Sequence, residues 1–144
     1  MKADVATEAA VLATLNAFTE TYRQRDMDSL MTLFAPDSDV VFIGTGADEW
    51  RVGQAEIQAQ GERDWAQSET ASLDLTWTPI SAVGTIAWAA AKGGVRVTAG
   101  GQEVTLPIRM TVVLEQRGDK WFFVQMHASF PAGEQAEGQS WPTD

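Results

Sequence analysis

No cysteine occurs anywhere in the sequence, and histidine and tyrosine occur once each, as His127 and Tyr22. The first absence excludes disulfides, thiolate metal sites and a cysteine nucleophile. A single histidine excludes H-E-x-x-H and every other multi-histidine metal motif. No metal and no cofactor is therefore expected. Basic residues are also scarce: ten Lys and Arg stand against twenty Asp and Glu, for a formal charge of −10. Without a basic cluster, nucleic-acid backbone and anionic membrane are repelled, so neither is expected as a partner. No apolar run approaches the length of a membrane span. The N-terminal stretch carries Asp4 and Glu8 before any sustained apolar run, as a helix would and a signal peptide would not. The expected location is the cytoplasm.

What is present is an ordinary globular composition, 44% hydrophobic and 21% charged over 144 residues, enough for one core. Val11, Leu15, Phe18 and Tyr22 make one stripe of a long first helix over roughly residues 4–24. Asp26 can cap a short second helix carrying Met27, Leu30, Met31 and Phe34, which Pro36 stops. DVVFI, residues 39–43, reads as a buried strand and GTGADEWRVG, residues 44–53, as a loop. A third helix is predicted from about Gln54 to Gln67. The period then changes from 3.6 to 2, giving four strands, the last two joined by a two-residue turn at Gly118–Asp119. Gly93–Gly94 suggests a bulge or sharp bend and Pro107 an edge or bulge. This order argues α+β, with helices on one face of an antiparallel sheet. One domain over residues 1–130 is expected, with an acidic tail at 131–144.

If Arg117 faces Lys120 across the final turn, one face of the hairpin carries Met110, Val112, Leu114, Trp121, Phe123 and His127. The other carries Arg109, Val113, Phe122, Val124 and Met126. Both faces are apolar, whereas such a sheet usually shows water one polar face. A second copy is the simplest cover, so a two-fold homodimer through the sheet is expected, with Trp121, Phe123, Leu114 and His127 at its interface.

The segments ETYRQRDMDSLMTLFAPDSDVVFIG, WRVGQAEI and the closing KWFFVQMHAS resemble the SnoaL-like branch of the nuclear transport factor 2-like superfamily. The last is also similar to the association domain of calcium/calmodulin-dependent kinase II. The resemblance covers roughly residues 5–130. It implies a cone-shaped curved sheet wrapped around the first helix (cystatin-like), with a pocket at the open end. That superfamily holds isomerases, cyclases and dehydratases beside assembly domains, so the fold does not decide the chemistry. Set by hand against ketosteroid isomerase, the chain has Phe42 at the base position, Phe18 at the tyrosine and Arg109 at the second aspartate. That constellation is absent.

Arg109, amid apolar neighbours, must find a partner. It reads either as an anchor for a carboxylate or phosphate ligand or as the partner of an internal acid such as Asp39, Asp48, Glu49 or Glu115. Tyr22 is a ligand donor or a core tyrosine, and Trp50, Trp65 and Met126 are candidate pocket walls. His127 lacks an acid on its face to orient it and reads as structural or interfacial rather than catalytic. The expectation is a small homodimeric domain whose apolar pocket binds a small, acidic organic ligand. The alternatives are a cyclase-, isomerase- or dehydratase-type enzyme, or a non-catalytic dimerisation domain.

Overall fold

The computed structural model describes residues 1–142. The first helix, α1 (Val5–Gln24), begins where the Asp4 carboxylate accepts the Thr7 backbone N–H at 2.7 Å. Its apolar stripe buries Val11, Leu15 and Phe18. It ends at Arg25 in the left-handed conformation, φ 58°. Asp26 then caps α2 (Met27–Met31) through the Ser29 N–H. This helix is shorter than its apolar spacing predicts. Leu33 and Ala35 leave it to exchange backbone hydrogen bonds with Phe123, which carries Phe34 into the core.

The strands are β1 (Val41–Ile43), β2 (Trp50–Val52), β3 (Thr70–Trp77), β4 (Ser81–Val83), β5 (Ile86–Ala99), β6 (Gln102–Arg117) and β7 (Lys120–Ser129), with α3 (Gln54–Ala66) between β2 and β3. They form one sheet in the order β2-β1-β7-β6-β5-β3, with β4 on β5. The sheet is mixed, not antiparallel, because β1 lies parallel to β7. The curved sheet stays unclosed around α1, so the fold is α+β as expected. Among the described residues no helix is long and apolar enough to cross a membrane.

The register of the last hairpin corrects the sequence reading. Arg117 pairs with Lys120 and Leu114 with Phe123, but a bulge follows, and Val113 pairs with Gln125. The extra residue, Val124, reverses the facing of everything beyond it on β7. Trp121, Phe123, Met126 and Ala128 therefore all point inward with Met110, Val112 and Leu114. Phe123 and Leu114 are wholly buried within one chain and Trp121 is 5% exposed, so none of the three can meet a second copy. They face α1 instead. Phe18 meets Phe123 edge-on at 5.5 Å between ring centres, and Phe34 lies 5.4 Å from Phe123. His127 and Arg109 fall on the outer, exposed side.

At the other end of the sheet, Gly93 and Gly94 sit within an unbroken β3–β5–β6 ladder, without the bulge their pairing suggested. A Cβ on Gly93 would stand 1.9 Å from the Asp74 carbonyl oxygen and 3.0 Å from the Leu75 Cα. Only hydrogen fits there. At Gly94 the nearest atom is the Thr105 side-chain methyl at 3.2 Å, which can move. Gly93→Ala is therefore expected to lower unfolding stability by at least about 1–3 kcal/mol. Gly94→Ala should cost clearly less in parallel urea titrations; equal midpoints for the two would refute the close approach.

Candidate functional site

Beyond Phe18, α1 runs one more turn and places Tyr22 over the open end of the sheet. The Arg25 guanidinium holds this end of α1 against the end of α3, donating to the Trp65 carbonyl at 2.7 Å and to the Ser68 carbonyl at 3.0 Å. Between them and the inner faces of β3, β5, β6 and β7 lies a cavity of about 270 Å³. Its walls are mostly apolar, with Phe18, Phe42, Leu73, Val95, Ile108, Met110 and Phe130 among them. Its polar side comes from Tyr22, Thr45, Glu49, Asp64, Gln67 and Ser68.

The polar side is a connected network. Tyr22 Oη donates to Asp64 Oδ2 at 3.0 Å. Gln60, one turn before Asp64 on α3 and only 2% exposed, donates from Nε2 to Asp64 Oδ1 at 2.7 Å and to Glu49 Oε1 at 2.6 Å. Its carbonyl Oε1 accepts from Arg51 Nε at 3.0 Å. Two acceptors on one side and a guanidinium on the other fix the amide orientation. Glu49 also accepts from the Gly46 N–H and approaches Arg63 at 3.4 Å, while Arg63 binds Asp48 at 2.7 Å.

Burial pushes the Asp64 carboxyl above its ordinary range, against hydrogen bonds from Gln60 and Tyr22 that favour the charged form. The Glu49 charge raises it further, and Arg63 offsets part of that. Burial, followed by the Asp64 charge, pushes the Tyr22 hydroxyl far above its usual value, so it stays a phenol. Tyr22 is thus a neutral hydrogen-bonding group beside a carboxyl that can change charge. Among the described residues no three His, Asp or Glu side chains converge as a metal-binding group.

Of the five residues proposed from sequence as ligand-binding, Tyr22 alone lines this cavity. Trp65 stands behind it, ring centres 5.8 Å apart. Met126 is wholly buried in the core, and Trp50 is 65% exposed on the outer side of the sheet. Arg109 is outside as well, its Nε 3.3 Å from Ser129 Oγ, beside a shallow hollow under the C-terminal segment. It pairs with none of the acids proposed for it and has no access to the cavity. Phe18 and Phe42, set against isomerase catalytic positions, do line the cavity, but as apolar walls.

Sequence reasoning missed Asp64 and Gln60, and it offered Glu49 only as a possible partner for Arg109. A signal existed. Ile57, Gln60, Gly61 and Asp64 fall at i, i+3, i+4 and i+7 on α3, so a glutamine and an aspartate occupy the helix's inward stripe.

A model of the SnoaL-like domain matches residues 11–133. Among solved structures, a candidate dehydratase of the NTF2-like family from Streptomyces avermitilis is 20% identical, covering 88% of this chain and 99% of its own, with a TM-score of 0.80. A candidate calcium/calmodulin-dependent kinase II association domain from Thiobacillus denitrificans is 21% identical over 83% of this chain and 94% of its own, at TM-score 0.71. A ketosteroid isomerase-like protein from Erwinia carotovora atroseptica is 16% identical over 90% and 99%, also at 0.71. No curated protein matches the sequence. At these identities the structural likeness speaks for the fold, and the domain model for the family: the chain belongs to the SnoaL-like domain family, within the NTF2-like fold.

Proposed function

We propose that the cavity binds a small, largely apolar organic molecule, and that Tyr22 and Asp64 exchange a proton with its polar end, as in isomerase or dehydratase chemistry. The observation that carries this is the 3.0 Å hydrogen bond from Tyr22 to Asp64 at the wall of an otherwise apolar hollow. With Asp64 ionised, Tyr22 donates to it and offers its oxygen lone pair to the ligand. With Asp64 protonated, the carboxyl donates to Tyr22 Oη, and the phenol proton is free to pass to a ligand oxygen. The ligand then gains one proton and Asp64 is left as the carboxylate. A carboxyl raised by burial suits this role, because its protonated form persists closer to neutrality. The designations of the dehydratase and isomerase-like neighbours agree with this class of reaction, by analogy of fold alone. The acidic ligand expected from Arg109 is not carried forward, since that guanidinium lies outside.

We also propose a homodimer, through the outer face of the sheet. The pairings align Val52, Val41, Gln125, Val113 and Trp88 in one row, and Trp50, Ile43, His127, Thr111 and Ala90 in the next. Trp50 is 65% exposed and Val52 40%, on a face more apolar than a solvated one. A second copy covers such a patch with two-fold symmetry. His127 lies in the middle of it.

Three outcomes are expected. Conjugation of β,γ-unsaturated ketones, followed by absorbance, should be accelerated by the protein and fall by about 10²–10⁴-fold in Asp64→Asn, with Tyr22→Phe also impaired; no acceleration with any ketone of the panel would leave the domain an accessory one. Stability supplies an independent test. A carboxyl raised in the folded state favours folding at low pH, and this contribution is lost as pH rises through its raised range. The melting temperature of Asp64→Asn relative to wild type should therefore be more favourable near pH 8 than near pH 4; a pH-independent difference would contradict the burial of Asp64. Finally, sedimentation velocity at micromolar concentration should give a dimer that Trp50→Glu dissociates without unfolding; a wild-type monomer would end the dimer proposal.

A further inference from the structure

The charge around the cavity is one-sided. Its lining includes the acids Glu49 and Asp64 and no lysine, arginine or histidine. Three arginines stand near, and each is committed elsewhere. Arg25 holds backbone carbonyls, Arg51 binds the Gln60 carbonyl, and Arg63 pairs with Asp48 and Glu49. Glu49 thus has a cation within 3.4 Å, whereas the hydrogen-bond partners of Asp64 are both neutral, Gln60 and Tyr22. Arg63 acts on Asp64 only from beyond contact distance, and a desolvated carboxylate with no cation in direct contact is costly. It either takes up a proton or acquires a positive partner. The remaining walls include the aromatic rings of Phe18, Tyr22, Phe42 and Phe130, whose faces attract cations and repel anions.

From this arrangement we infer that the ligand is a lipophilic amine, bound as its ammonium ion with Asp64 as the counter-ion. The inference rests on the reading of the cavity as a ligand site, independently of the proton transfer to a ligand oxygen, and names the chemistry of the ligand's polar end. An amine arriving uncharged takes the proton of the Asp64 carboxyl: the O–H bond breaks, an N–H bond forms, and an ion pair results. An amine arriving as ammonium meets the carboxylate directly. In both cases Tyr22 remains a phenol, able to keep its hydrogen bond to Asp64. An anionic ligand would face two carboxylates with no free cation on the cavity wall.

The test is isothermal titration of the wild-type protein with three molecules of one shape: 2-naphthylmethylamine, 2-naphthylmethanol and 2-naphthoate. The amine is expected to bind at least about tenfold tighter than the alcohol. The carboxylate should bind weakest. Asp64→Asn conserves the shape of the side chain, and it should abolish the amine's advantage over the alcohol. The wild-type comparison among the three ligands does not depend on how well this variant folds. Alcohol binding as tight as amine binding, or carboxylate binding tightest, would overturn the amine inference and leave the cavity as a ligand site. If none of the three binds, the inference fails together with the reading of the cavity as a site for molecules of this size.

Discussion

The bulge between β6 and β7 sets the inner surface on which the rest of the molecule is built. By inserting Val124, it lets Trp121 and Phe123 before it and Met126 and Ala128 after it turn to the same concave side. Without it, the β7 side chains beyond Phe123 would change sides. His127 would enter the core and Met126 would face solvent. With it, Phe123 reaches Phe18 and Phe34, and that aromatic group anchors α1 along the sheet. Burying each such side chain contributes about 1.5–3 kcal/mol. The cavity begins where this packing stops, at Phe18 itself.

The two ends of the helix layer are held differently. The core end is held by apolar contact, while the cavity end is held by directional bonds: Arg25 across to α3, Tyr22 to Asp64, and Gln60 between two carboxylates. A half-buried polar network of this kind is costly unless each member is satisfied, and its orientation is correspondingly well defined. A fully apolar cavity end would be more stable but could not distinguish one polar ligand from another. The raised Asp64 carboxyl is the residue of that compromise.

Much of the fold was legible because long periodic segments dominate it. The α1 stripe, the Asp26 cap and the 3.6-to-2 change of period after α3 all have direct counterparts in the structure. The short strands β2 and β4 were not, since three residues carry no period and their pairing with β1 and β5 is tertiary. The parallel pairing of β1 with β7 joins segments over eighty residues apart, beyond the reach of local pattern. The hairpin misled for a specific reason. A regular register was extended past Phe123, although the apolar spacing Trp121, Phe123, Met126, Ala128 steps by two, three and two. That three-residue step marks the bulge, and missing it grouped His127 with Trp121 and Met126 with Arg109; setting Arg109 at an isomerase pocket position then turned the Trp121 face outward. For the site, Tyr22 followed from the helix stripe, while the inward stripe of α3 that carries Gln60 and Asp64 was not read.

Tyr22 is the only tyrosine in the chain, and its ring lies at the cavity wall between Phe18 and Trp65. Isotopic labelling of that one amino acid would give a single spectroscopic signal from the place where a guest molecule would sit. The scarcity of the residue thus makes the molecule its own occupancy gauge, with no probe to attach and no background from elsewhere in the polypeptide.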